Sequence, residues 1–463
     1  MSKEGEIKPL IKNPYEEIIG RIGFGKYQFL ILVAVGLGGM FAEGAEMAFI
    51  SLLSYVFMET WNLSSSVASL HATFIFSGKL LGIIVSSLYA DDIGRLVMVR
   101  LGTLSIAASY LVSPFMPEYF TFISCRFLVG FGLGVMIPVF VGYGTEVCPA
   151  KHRGSFTITL MSFFVLGELM VVGTLYLVMP DLDSESWRFV IPIVGVPVFT
   201  SVVLIFAFLK ESPLFLLKRG FISKSIETLD FLAQTNKKEP LSSQEKDSLH
   251  GLMLSTHKSG MEKLPILWNE ENFRKSLILM FMWMACIIVF YGFLIILPET
   301  LSFGGSASDV LLGWAIASGI QFPVQFLNGW MIDWAPLGRK GTILLSCFML
   351  VVFEGLALLL IETGGFYVCV AGLTAFGLIV FNTLYAYTNE VYETEIRSLA
   401  VGFYNMISKF GAIGVPILIF LLNEIDVKYP FLLMGAVALV GFVLSLFLPS
   451  DKTGKPLDQL VSK

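Results

Sequence analysis

Ala90-Asp91-Asp92-Ile93-Gly94-Arg95 closes one apolar run in the first half of the chain. Ile332-Asp333-Trp334-Ala335-Pro336-Leu337-Gly338-Arg339-Lys340 closes the corresponding run in the second half. Two apolar runs after the first motif comes Glu146-x-x-Pro149-x-x-x-Arg153-Gly154, and two after the second comes its echo, Glu390-x-x-Glu393-x-x-x-Arg397. Charges repeated at matching places between hydrophobic stretches mark a membrane protein built from two related halves.

Working outward, the composition agrees. Hydrophobic residues make up 55% of the chain and charged ones 14%, against about 25% charged in an average soluble domain. Apolar stretches of bilayer-crossing length recur at 29–57, 67–90, 97–117, 120–143, 156–179, 189–209, 274–297, 309–333, 341–361, 365–389, 398–423 and 428–449. The expected fold is therefore an all-α membrane protein. It has twelve transmembrane helices in two pseudo-symmetric six-helix bundles, 1–209 and 274–463, joined by a linker at 210–273. A barrel is excluded because no period-two alternation appears. Alternate connections, beginning with 1–28, hold 26 of the 31 Lys and Arg residues, while the others hold only Arg188 and Lys428. By the positive-inside rule both termini face the cytoplasm. The polar first 28 residues do not read as a cleavable signal. In the linker, Ile226, Leu229, Leu232 and Ala233 form a helical stripe, and 237–260 reads as polar and mobile. The cysteines show no metal spacing and no disulfide framework.

These residues resemble the major facilitator superfamily from about Gly23 to Pro449. The sugar porters and their organic-ion relatives carry Arg126-x-x-x-Gly130-x-Gly132-x-Gly134, the Glu146 motif and Glu211-Ser212-Pro213, all present here. Within that group the chain is similar to the synaptic-vesicle-2-related and organic-ion branch. The acidic pair in Glu43-Gly44-Ala45-Glu46-Met47 and the opening Ile22-Gly23-Phe24-Gly25-Lys26-Tyr27-Gln28 carry that likeness. The resemblance implies a transporter of small solutes. It also implies that Glu46 of the first span pairs with Arg126 of the fourth. The first loop motif departs from the family at Ser87 and Asp92, and the acidic Asp92 is expected to weaken any latch there.

Asp91, Arg95, Glu146, Arg153, Asp333, Arg339, Glu390 and Arg397 fall at cytoplasmic helix ends, and Glu211 joins them through its motif. Such charges suit a gate that pairs when shut and separates when open; fixing topology is the plainer alternative. The glycines of the Gly130 motif let helix backbones approach closely.

Ionisable groups inside spans are costly and need a partner, water or neutralisation. Here they are Glu43, Glu46, Glu168, Glu354, Lys79, Arg126 and Lys409. Glu43 and Glu46, at i and i+3, share one helix face. Two like charges so close do not both ionise cheaply, so one is suited to take and release a proton. Glu43, Glu46 and Arg126 are the coupling candidates; a static ion pair is the alternative. Lys79 and Lys409, in the middle of spans two and eleven, suit an anionic solute or neutralise buried acids. Glu168 and Asn405, at i−4 to Lys409, join them, while Glu354 reads as a structural pair or lipid-edge contact. Polar or aromatic stripes on later spans add Tyr291, Gln321, Gln325, Asn382 and Tyr385. His71 reads as a packed histidine.

The function expected is secondary active transport of a small organic solute by alternating access, with proton coupling. An organic anion comes first, an organic cation or sugar next. The alternative is a transporter-like subunit or receptor in a membrane assembly that does not itself transport. The expected partners are the solute, a proton and membrane lipid, with no nucleic acid. No P-loop, nucleophile or metal cluster points to an enzyme or a cofactor.

Overall fold

The computed structural model describes residues 14–182, 186–250, 264–302, 306–334, 336–392 and 396–449. Twelve helices are long and apolar enough to cross a membrane. They are α1 Lys26–Ser54, α2 Ser65–Ala90, α3 Arg95–Phe115, α4 Tyr119–Gly144, α5 Ala150–Val178 and α6 Trp187–Phe208 in the first half. The second half has α7 Glu270–Leu301, α8 Ala307–Asp333, α9 Gly338–Leu360, α10 Phe366–Val391, α11 Leu399–Asn423 and α12 Lys428–Leu446. Each overlaps a span expected from hydropathy. Helix α7 overruns the expectation, continuing through Pro298 and so enclosing Glu299.

The two halves pack alike. In the first, α2 lies on α4, α3 on α4, α1 on α5 and α3 on α6. In the second, α8 lies on α10, α9 on α10, α7 on α11 and α9 on α12. Adding six to each helix number converts one set into the other. The halves meet along α1–α7, α2–α11 and α5–α8, and the last two of these pairs are also exchanged by the repeat. Outward faces carry Phe115, Leu177, Phe189, Leu359 and Val368, all exposed. A helix bundle with so apolar a rim is suited to lipid.

Glycine sets the tightest of these contacts. A Cβ on Gly130 or Gly134 of α4 would collide with the backbone carbonyl of Ile75 or Lys79 on α2. Reciprocally, a Cβ on Gly78 or Gly82 of α2 would strike the carbonyl of Phe127 or Phe131 on α4. Four glycines thus bring two helices to backbone contact, as small residues do where lipid offers no hydrophobic drive for association. The same device joins α1 to α5 through Gly44 and Gly167. Helix α1 also contains a π-helical turn, Gly36–Met40, immediately before the segment that carries Glu43 and Glu46.

The linker is more ordered than its polarity suggests. Helices Pro213–Lys218, Ile222–Thr235 and Ser243–His250 follow α6. Asn236 accepts the Tyr27 amide at 3.0 Å and donates to Gln28 at 2.8 Å, which fixes the linker to the first half. Arg21 pairs with Glu245 at 2.7 Å, and Leu249 is buried. The expectation of a mobile 237–260 is corrected for 237–250, because Ser242 and Glu245 start a helix whose one large apolar residue finds the core. Residues 251–260 lie outside the described set.

Gly134→Leu is expected to separate α2 from α4 and cost at least the roughly 1–3 kcal/mol of an overpacked core. Thermal unfolding in detergent should show a fall of several degrees. Gly173→Ala, at a position with no neighbour within 4 Å, should leave the midpoint unchanged; equal shifts would contradict the close-approach account.

Candidate functional site

The glycine contacts place the buried charges. Lys79 follows Gly78 on α2, and its own carbonyl faces Gly134. Its ammonium pairs with Glu43 of α1, both side chains nearly excluded from solvent. One turn along α1, Glu46 pairs with the guanidinium of Arg126 on α4. The two acids share a helix face as their spacing predicts, yet each takes its own base from a different helix. Arg126 is enclosed by the rings of Tyr110 at 5.0 Å, Phe49 at 5.4 Å and Phe122 at 5.9 Å. Those rings were not legible as site residues, because nothing in their spacing points at Arg126. One oxygen of each acid, Oε2 of Glu43 and of Glu46, has no hydrogen-bond partner.

Across from these pairs lies Lys409 of α11, 2% exposed. Neither an ion pair nor a hydrogen bond joins it to a described residue, and its ammonium lies 5.9 Å from the ring centroid of Tyr291. Tyr291 of α7 stacks on Phe76 of α2 at 5.4 Å, ring against ring across the two halves. Glu168 of α5 accepts a hydrogen bond from Gln321 of α8 at 2.7 Å, a second bridge between halves. Tyr385 packs edge-on against Trp283 at 4.5 Å. Asn405 has a buried carbonyl oxygen without a partner. Gln325 and Asn382 make no hydrogen bond among the described residues and do not join the cluster.

Three other buried groups stand apart. Glu354, expected to be paired or at the lipid edge, is 1% exposed and neither oxygen has a partner. It packs beside Gly435 of α12, away from the central cluster. Glu299, missed because α7 outruns its hydropathy, accepts from Asn423. His71 is fully buried among Phe57 and Phe122, with both ring nitrogens unbonded, as a packed histidine.

The repeated loop motifs build one arrangement twice. Arg95 at the start of α3 reaches Glu146 at 3.2 Å. Arg339 at the start of α9 reaches Glu390 at 2.7 Å and Asp333 at 3.5 Å. In each half the third helix is tied to the end of the fourth. Glu211 accepts the amides of Arg95 and Leu96 at the start of α3. An acid there meets the positive end of the helix dipole, while burial pushes its carboxyl up from its ordinary value. Ser212 donates to Glu146, and Arg153 pairs with Glu16 at 2.7 Å. Asp92 turns away to Arg219 at 2.9 Å, so the Arg95–Glu146 pair forms in spite of it. The side chains of Asp91 and Arg397 lie outside the described set. Cys148 is buried beside this motif, with burial pushing its thiol up to about 11.

All these motif pairs lie within one half or between a half and the linker. The side-chain hydrogen bonds between halves, Ser51 to Leu294, Thr73 to Ile413 and Gln321 to Glu168, lie toward the opposite end or mid-depth.

Known proteins share this architecture and sequence. The chain is 27% identical to the synaptic vesicle 2-related protein of Bos taurus, over 96% of this chain and 82% of that one. It is 26% identical to organic cation/carnitine transporter 7 of Arabidopsis thaliana, over 96% of both chains. Identity is also 26% with the niacin transporter NiaP of Acinetobacter baylyi, over 96% of this chain and 98% of that one. The inward open conformation of the xylose transporter XylE from E. coli superposes with a TM-score of 0.73, at 16% identity, covering 93% of this chain and 98% of that one. The profile of the Major Facilitator Superfamily matches residues 35–413 and 337–461. With twelve spanning helices, two repeated halves and that match over most of its length, the chain is a multi-pass membrane protein that belongs to the Major Facilitator Superfamily of small-solute transporters.

Proposed function

We propose that this protein moves a small organic solute through the membrane by alternating access, coupled to proton movement, with an organic anion as cargo. Organic cations and sugars are the next candidates. The observation that carries this reading is the double ion pair on α1, Glu43–Lys79 and Glu46–Arg126, buried beside the interface of the halves. The opposite half presents the unpaired base Lys409. The names of the carnitine and niacin transporters support a charged organic solute.

A buried ion pair is weak evidence for stability, since desolvation offsets most of the attraction. It is better suited to switching. Protonating Glu46 removes the countercharge that holds Arg126 in its aromatic enclosure, and the guanidinium is then free to change partner. Loss of the proton restores the pair. The halves then rock about the contacts near Ser51 and Thr73, and the cluster opens alternately to either side. By the positive-inside count the motif-bearing end and both termini face the cytoplasm in this reading. The Arg95–Glu146 pair forms while Asp92 is taken up by Arg219, which weighs against the alternative of a transporter-like subunit or receptor that does not itself transport.

Reconstituted into proteoliposomes, the protein should accumulate at least one small organic acid when the outside is made acidic. No uptake of any organic anion, cation or sugar would overturn the reading. Glu46→Gln mimics the protonated acid and should abolish proton-driven accumulation while leaving solute exchange largely intact. Normal accumulation by that variant would remove Glu46 from coupling and pass the role to Glu43. Arg126→Gln leaves Glu46 unpaired and should cost about 3–5 kcal/mol of stability. Adding Glu46→Gln to it should restore most of that loss, as thermal unfolding of the single and double variants would show.

A further inference from the structure

Apart from Glu299 and Glu354, the spans bury three acids and three bases, and two of each are matched. Glu43 is held by Lys79 and Glu46 by Arg126. One acid and one base remain, on opposite halves. Lys409 of α11 has no ion pair or hydrogen bond among the described residues, and the charges close enough to act on it are Lys79 and Glu43, already paired with each other. Glu168 of α5 is fully buried. Its Oε2 accepts from the neutral amide of Gln321, and its Oε1 has no partner.

Tyr291 links the two leftover charges. Lys409 lies 5.9 Å from its ring centroid, and Glu168 is within electrostatic reach of its hydroxyl. The same ring stacks on Phe76 of the other half, with 13° between the planes. One turn before Lys409 on its helix, the buried Oδ1 of Asn405 is also unbonded. Buried charges left without a counter-ion are costly in a membrane protein. A simple anion would answer Lys409 alone, a simple cation Glu168 alone, and a solute with both signs answers both.

We propose that the central site takes a small zwitterion. Its carboxylate goes to Lys409, its cationic nitrogen to Glu168, and its body lies against Tyr291 and Phe76. The proposal rests on the transport reading and narrows it from organic anions to solutes that carry both signs. It also gives the ligand a part in closure, since Lys409 and Glu168 belong to different halves.

The test uses one ring in three charge states: nicotinate as the anion, 1-methylnicotinamide as the cation and 1-methylnicotinate as the zwitterion. Binding to the full chain in lipid nanodiscs is measured by calorimetry and by thermal shift. The zwitterion should bind about tenfold or more tighter than either singly charged analogue, the worth of one charge-assisted contact. Glu168→Gln should reduce its affinity to that of nicotinate, and Lys409→Met to that of 1-methylnicotinamide. Glu168→Asp should keep the preference, which separates loss of charge from loss of fold. Equal affinity for the zwitterion and nicotinate, an unchanged ratio in Glu168→Gln, or no binding of any of the three overturns the proposal. Nicotinate binding without gain from the added positive charge leaves anion transport standing. Only the proteoliposome uptake described above removes the transport reading itself.

Discussion

A charge inside a bilayer must meet a counter-ion, and the architecture of this protein follows from how that requirement is met. Lys79 and Arg126 reach Glu43 and Glu46 because α2 and α4 touch backbone to backbone at four glycines. Wider separation would strand at least one ion in an apolar interior, at a cost of several kcal/mol. The Gly44–Gly167 contact between α1 and α5 performs the same service from the other side, and it brings Glu168 to the interface of the halves. Small residues and buried charges are thus one design: the first supply the distance that the second need.

The repeat extends this logic to the helix ends. Arg95–Glu146 and Arg339–Glu390 tie the third helix of each half to the end of the fourth. Each half is therefore braced internally at its motif-bearing end. A rigid half is what the proposed rocking movement needs, because motion then concentrates at the interface rather than dissipating in the bundle. The linker helices add to the brace on one side, through Asn236 and Arg219.

Much of this was legible in the chain. Length and apolarity located the spans because a helix in lipid must satisfy its backbone internally and needs about twenty residues to cross. The loop arginines and acids stood out because charge recurred at equivalent places. What failed to show had local causes. Glu299 was hidden because α7 runs beyond its most apolar stretch. The helix Ser243–His250 was hidden because one apolar residue and a cap, rather than an amphipathic stripe, hold it in place.

Sequence alone located the spans, the duplication and most of the buried charges, since each depends on residue type along one helix. It left open which acid takes which base. Glu43 and Glu46 share a helix face, and their fates diverge only because different helices lie against successive turns of it. Glu168 and Lys409 remain unmatched for the same reason, placed on opposite halves by packing, and Glu354 finds only the glycine face of α12. Electrostatic pairing acts over a few ångströms between segments far apart in the chain, and only the tertiary structure sets those distances.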